Sequence, residues 1–336
     1  MKNNIPGIFL SLCIAGVAYF LGIWMPIVGG PVFGILLGII INNTIGKPIS
    51  TLPGVKYSGK RILQLAIILL GAGLSLNQIA ETGISSLLVM VFTLVVAFLT
   101  VYGLGSVMKI SNKLMALIGI GTAICGGSAI AALSPIIEAE ENEISYSIST
   151  IFLFNIVAVF VFPLIGNIFH FSDLGFGLWS GTSINDTSSV VAAAYSYSHE
   201  AGDYATIVKL TRTLMIVPIS LIFAFGVYRL KSKVQENENS DKKRISYNFI
   251  SIFPWFVLGF LFLAVLRSTE YVSLEYMNFI SEVGKIAIIV ALTAIGLNAN
   301  LREMFKTGYK PVLLGFFVWL AVTVTSLGVQ FFTNQL

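Results

Sequence analysis

The chain has 336 residues, of which 56% are hydrophobic and only 11% charged, and its mean hydropathy is +0.89. Soluble domains carry about 25% charged residues, so water is not the main solvent of this fold. A net charge of +4, spread over short clusters between apolar runs, suits membrane topology signals and excludes a nucleic-acid partner.

A helix needs ~20 mostly apolar residues to cross the hydrocarbon core. On that basis the chain divides into about eleven spans, near 6–24, 27–43, 60–79, 85–108, 114–137, 145–169, 174–198, 206–229, 249–267, 283–299 and 312–334. The first run, Ile5–Trp24, follows only Met1–Asn4 and lacks a small-residue cleavage site, so it reads as a retained helix. In the second, Gly30, Gly34 and Gly38 form a Gly-x-x-x-Gly ladder, a device for close helix packing. Runs such as Leu87–Val101 are apolar without alternation, which argues against a membrane barrel. Cys13 and Cys125 both lie inside apolar runs, so no disulfide framework is indicated.

The charges orient the set. Lys47, Lys56, Lys60 and Arg61 follow the second span, Lys109 and Lys113 the fourth, Arg229 to Arg244 the eighth, and Arg302, Lys306 and Lys310 the tenth. Acidic or neutral loops alternate with them: Glu138–Glu143 after the fifth span, Glu200 with Asp203 after the seventh. Every basic cluster falls on one side if the N-terminus is cytoplasmic and the C-terminus outside. The one long polar connector, residues 230–248, is then a cytoplasmic loop within a single polytopic domain spanning 1–336.

Two internal echoes stand out. Gly59-Lys60 through Asn77 resembles Gly284-Lys285 through Asn300, each followed by Thr-Gly (Thr82-Gly83 and Thr307-Gly308) and another apolar span. These segments run in opposite directions, as inverted-topology repeats of secondary transporters do. Gly121-Thr-Ala-Ile-Cys-Gly-Gly-Ser128 also matches Gly181-Thr-Ser-Ile-Asn-Asp-Thr-Ser188. With eleven spans those two run in the same direction and can be inverted mates only if one is re-entrant. The alternative, which the span count favours, pairs Thr122–Cys125 with Thr293–Gly296.

The same segments break the apolar rule. Gly119–Ser128 carries four glycines, Thr122 and Ser128, and both close packing and a helix break fit it. Gly181–Ser189 carries Thr182, Ser183, Asn185, Asp186, Thr187, Ser188 and Ser189, too many polar side chains for packing alone. Non-helical backbone at membrane depth needs cover from protein or a water-filled cavity, and a broken helix frees N–H groups for an anion. Asp186 must pair, bind a proton or Na⁺, or face water. Lys209 and Arg212, one turn apart, are its natural partners, with snorkelling to the interface as the alternative. Asn77, Asn298 and Asn300 end the third and tenth spans; capping is one role, ion coordination another. His170 and His199 stand alone without metal-ligand spacing. No phosphate loop, dinucleotide fingerprint or catalytic serine elbow occurs, which disfavours an enzyme or an ATP-driven pump.

Gly121 to Ala132, the Glu138–Glu143 loop, Gly177 to Ser188, Lys209-Leu-Thr-Arg212 and Ala294-Ile-Gly-Leu-Asn298 together resemble the YeiH-type family of bacterial membrane proteins, commonly named sulfate exporters. The resemblance implies an all-α integral membrane fold with a panel and a core, and with discontinuous helices crossing near the midplane. The paired aspartates of the related sodium/proton antiporters are absent; only Asp186 is present. The expected function is secondary transport of a small anion, sulfate or an organosulfonate, across the inner membrane. Its expected site is Thr122, Gly126, Gly127, Ser128, Thr182, Ser183, Asn185, Thr187, Ser188 and Arg212, with Asp186, Lys209 and Asn298 as coupling-ion or charge partners. Expected partners are the bilayer, the anion, a coupling H⁺ or Na⁺ and a second copy in a homodimer; no cofactor is expected. The rival readings are a cation/proton antiporter using Asp186 and a non-transporting sensor or regulatory subunit.

Overall fold

A computed structural model describes residues 4–25, 29–216, 218–223, 225, 254–269, 271–299 and 308–336. The 230–248 loop, Asn300 and Thr307 lie outside the described residues, within which all regular structure is helical. In chain order the helices are α1 (Ile5–Trp24), α2 (Gly29–Thr44), α3 (Leu52–Tyr57), α4 (Leu63–Leu70), α5 (Leu76–Val107), α6 (Asn112–Ala123) and α7 (Gly127–Leu133). They continue as α8 (Glu141–Phe169), α9 (Asp173–Ser183), α10 (Thr187–Tyr197), α11 (His199–Leu214), α12 (Trp255–Ser268), α13 (Leu274–Asn298) and α14 (Tyr309–Phe332). A π turn, Ser58–Ile62, joins α3 to α4.

Among the described residues, 6 helices are long and apolar enough to cross a bilayer: α1, α5, α8, α11 with its continuation to Phe223, α13 and α14; α2 and α12 are shorter apolar helices. Phe20, Ile84, Leu99, Phe262 and Val324 stand exposed on their outer faces. Lipid solvates such apolar surface; water does not. The third span ends earlier than its apolar run suggests, at Gly73, because Ser75 opens the next helix. Its hydroxyl accepts from the Gln78 amide and the Gln78 side chain accepts from the Ser75 amide, a capping box. Asn77 therefore lies in the first turn of α5 instead of closing a span.

Two of the expected spans fold back on themselves as hairpins. Lys113 Nζ donates to the Glu138 carbonyl at 2.7 Å across 25 positions. A continuous helix would hold those positions about 37 Å apart at 1.5 Å per residue. Ser111 Oγ likewise reaches Glu143 at 2.5 Å, so α6 and α7 form a hairpin that enters and leaves at one end of the bundle. The segment α9–α10 does the same: Tyr197 Oη donates to the Phe171 carbonyl at 2.5 Å, and the Phe176 and Tyr197 rings stack at 4.0 Å. The Glu138–Glu143 loop thus lies at the same end as Lys109 and Lys113, not opposite them as charge alternation suggested.

Helix α8 runs between the hairpins, so they enter from opposite ends. At one end α1 starts against Gly54, Lys47 donates to the Leu297 carbonyl, and Lys310 approaches the Met108 carbonyl at 3.4 Å. This basic end contains the base of α6–α7. At the other end Gly29 packs on Ser196, Gly175 on Leu336, and the Leu76 amide on Ser268; the base of α9–α10 lies here.

Laterally the helices sort into two layers. Helices α1 to α4, α12 and α13 pack as one; α5 to α11 and α14 pack as the other; α10 against α2 is their main junction. Within the first layer α2 and α13 approach so closely that a methyl on Gly38 would stand 2.5 Å from the Thr293 carbonyl, the packing that the glycine ladder encodes. The first echo pair also meets there. Gly59 lies on Ile295, Gly284 on Leu69 and Leu70, and Gly73 on Ser281, an antiparallel contact.

Candidate functional site

Both hairpins turn at the second echoed sequence. Helix α6 stops at Ala123 and α7 restarts at Gly127; α9 stops at Ser183 and α10 restarts at Thr187. The last helical amide bonds correspond, Ile124 to the Ile120 carbonyl and Ile184 to the Ser180 carbonyl, both 3.0 Å. Thr293–Gly296, by contrast, lies inside unbroken α13, so the mate of Gly121–Ser128 in local structure is Gly181–Ser188. The first tip breaks because Gly126 adopts φ 65 and ψ −131, a conformation suited to glycine. The second breaks because the Asp186 carboxylate accepts from Ser188 N at 3.1 Å and from Ser188 Oγ, capping a new helix. The tips touch: a methyl on Gly126 would sit 3.4 Å from Asp186 Cβ.

Each stopped helix leaves carbonyls without intrahelical donors. Lys209 and Arg212 on α11, both fully buried, supply them. Lys209 Nζ donates to the carbonyls of Ile124 at 2.7 Å and Ile184 at 2.9 Å. Arg212 donates through Nε to Ala123 at 2.6 Å, through Nη2 to Thr122 at 2.7 Å, and through Nη1 to the Thr182 carbonyl. Positive charge at helix C-termini also complements the helix dipoles. Neither side chain snorkels, and among the described residues neither forms an ion pair with Asp186.

The restarting arms open on the other side, into a cavity of about 330 Å³. The tips contribute Gly127, Ser128, Asp186, Thr187 and Ser188; α8 adds Phe152 and Asn155; the opposite layer adds Lys60, Gln64 and Phe256. The cavity thus lies between the two layers. Asn155 Oδ1 accepts from the backbone amides of Asn185 at 3.2 Å and Asp186 at 3.3 Å, which fixes the second tip against α8. Among the described residues, Asp186 is the one carboxylate in the lining.

Of the residues expected at a site, Gly127, Ser128, Asp186, Thr187 and Ser188 line this cavity, and Gly126 sits at the contact between tips. Thr122, Thr182, Ser183 and Asn185 are buried behind it. Thr182 Oγ1 bonds the Leu178 carbonyl at 2.6 Å and Ser326 Oγ at 2.7 Å. The Thr122 and Ser183 hydroxyls and the Asn185 amide have no partner among the described residues. Asn298 is elsewhere, at the basic end, where its Oδ1 lies 3.4 Å from Lys47 Nζ; burial pushes that amine's pKa below its ordinary value. Sequence reasoning missed Asn155, Lys60 and Gln64. A lone amide within the apolar run Ile151–Phe162 was a usable signal for Asn155; Lys60 read only as a topology charge.

Paired hairpins, a buried polar junction and lipid-facing helices define a multi-pass α-helical membrane protein. The chain belongs to the family described as conserved hypothetical protein 698, which matches residues 6–315. It is 44% identical to a UPF0324 membrane protein of Clostridium tetani, covering 100% of this chain and 99% of that one. It is also similar to UPF0324 membrane proteins of Fusobacterium nucleatum, at 41% identity with 98% of each chain covered, and of Streptococcus agalactiae, at 42% with 98% and 97% covered.

Proposed function

We propose that this protein is a secondary transporter that moves a small anion across the cell membrane by alternating access. The observation that carries the proposal is the meeting of two oppositely entering hairpin tips at a mainly apolar cavity with a few polar groups, between two helix layers. Inverted repeats are a common construction of secondary transporters, with the solute site at the repeat junction. Two separate inverted echoes support local two-fold pairing here; their chain order (segment, hairpin, hairpin, segment) is not that of one duplicated unit. The hairpins carry echoed sequences and enter from opposite ends. In the other layer Gly59 packs on Ile295 while Gly284 packs on Leu70, the reciprocal contact expected about a two-fold axis.

In this reading the chain makes about nine passes (α1, α2, α3 with α4, α5, α8, α11, α12, α13 and α14) plus two re-entrant hairpins. The basic end faces the cytoplasm, which puts the N-terminus inside and the C-terminus outside. The solute rests against Ser128, Thr187 and Ser188, with Lys60 near the cavity mouth. Asp186 carries the coupling ion or proton. The resemblance to sulfate exporters suggests sulfate or an organosulfonate as cargo, and no catalytic role is proposed.

Radiolabelled sulfate flux in proteoliposomes tests the reading. Flux should exceed that of empty vesicles and fall in Ser188→Ala; unchanged flux in that variant would sink the site assignment. One observation favours a second reading, cation/proton antiport: among the described residues, the sole carboxylate in the lining is Asp186. That reading requires Na⁺- or K⁺-driven proton movement, without sulfate flux, that Asp186→Asn abolishes.

A further inference from the structure

We propose that Lys209 and Arg212 form a clamp that yokes the two hairpin tips into one body, and that neither residue touches the transported solute. The proposal deepens the transport reading by assigning these two cations a positioning role, and its structural half stands without that reading.

The two echoed sequences correspond position by position: Thr122 matches Thr182 and Ile124 matches Ile184. Arg212 binds the carbonyls of Thr122 and Thr182; Lys209 binds those of Ile124 and Ile184. Each cation thus holds the same atom of both tips, one tip from each end of the bundle. Both are carried by a third element, α11, so neither tip can shift alone without losing a charge-assisted hydrogen bond in a site closed to water. Arg212 also spends its remaining polar nitrogen, Nε, on Ala123, so all three guanidinium nitrogens face backbone. The cavity lining contains neither residue. A solute ligand needs donors aimed into the cavity; here they are aimed at helix ends behind it.

Ion selection and clamping therefore divide between two sides of one junction. The cavity side presents Ser128, Asp186, Thr187 and Ser188, while the far side holds the tips in register. A conformational change that exposes the cavity alternately must then move both tips together against the layer of α4, α12 and α13, because independent opening of one hairpin breaks the clamp.

Backbone hydrogen exchange on the full-length protein in lipid nanodiscs tests the structural half. Arg212→Lys keeps the charge but cannot span the carbonyls that the planar guanidinium reaches. It should speed exchange roughly tenfold at both tips, at 124–128 and at 184–188 together. Lys209→Met keeps the stem and should do the same, which covers a failure of either variant to fold. Acceleration at one tip only, or at neither, overturns the yoke. Sulfate flux in proteoliposomes tests the other half. Arg212→Lys should lower maximal flux while half-saturation stays within about twofold, as expected where solute dissociates faster than it is carried across and the lost contact is not made to the solute. A rise in half-saturation with unchanged tip exchange makes Arg212 a ligand and overturns the clamp. If the unaltered protein moves no sulfate, the sulfate reading fails, and hydrogen exchange still decides the clamp.

Discussion

The two hairpin tips share a plan and differ in what they present. The first turns on Gly126, whose left-handed backbone leaves bare peptide at the restart of α7. The second turns on Asp186, an extended residue whose carboxylate caps α10. The first returning arm is 7 residues long and the second 11. Behind them the same two cations grip matching carbonyls. The difference teaches that holding the tips is a shared task, whereas of the two tips only the second puts formal charge into the cavity, opposite Lys60 of the other layer. A backbone-only tip fits a steric and hydrogen-bonding role; a carboxylate tip adds the capacity to take up a cation or proton.

The largest effect should come from removing what both tips share. Lys209→Met strips donors from two buried carbonyls, each costing roughly 1–3 kcal/mol when left unsatisfied. Thermal unfolding in detergent should show a larger fall in midpoint for this variant than for any single-tip substitution; a midpoint within a degree of the parent would break the symmetry argument. Next, Gly126→Ala forces a side chain into a conformation that costs about 1–3 kcal/mol. Exchange should quicken most at 124–128 and, through the shared clamp and the contact with Asp186, to a smaller extent at 184–188.

Smaller in stability but sharp in function is Asp186→Asn. Asparagine caps a helix about as well as aspartate, so folding should change by less than about 0.5 kcal/mol while flux falls at least tenfold. Retained flux would remove the functional contrast between the tips. The smallest perturbation is cysteine labelling in a Cys13→Ser background. Exposed surface substitutions stay within about 0.5 kcal/mol. Asn112→Cys and Glu141→Cys should react with an impermeant reagent from the same side, and Glu200→Cys from the opposite side. Opposite reactivity of the first two would restore a full crossing by 114–137.

Much was legible in the sequence alone. Low charge and long apolar runs require a bilayer, because the alternative leaves thousands of square ångströms of hydrocarbon in water, and the helix positions follow from those runs. The repeated Gly-Thr-x-Ile phrase marked both breaks, since glycine and short polar residues weaken a helix wherever it is solvated by lipid or by water. Gly30, Gly34 and Gly38 announced a close helix contact, and Gly38 stands against Thr293.

What hydropathy could not distinguish was a helix that crosses from one that folds back. An apolar run interrupted by a few small residues has the same average hydropathy in either case. Only the contacts of Lys113 with Glu138 and of Tyr197 with Phe171 decide it. The partners of Lys209 and Arg212 were equally hidden. Charge counting pairs them with Asp186, the nearest opposite charge in the apolar runs. The folded chain instead offers them helix-end carbonyls from segments far away in sequence, and buried cations go where the most donors are satisfied. Composition and local pattern thus determined the solvent, the helices and the places where they break. Tertiary structure decided which breaks are turning points, which end each hairpin enters from, and which side of the junction opens into a cavity.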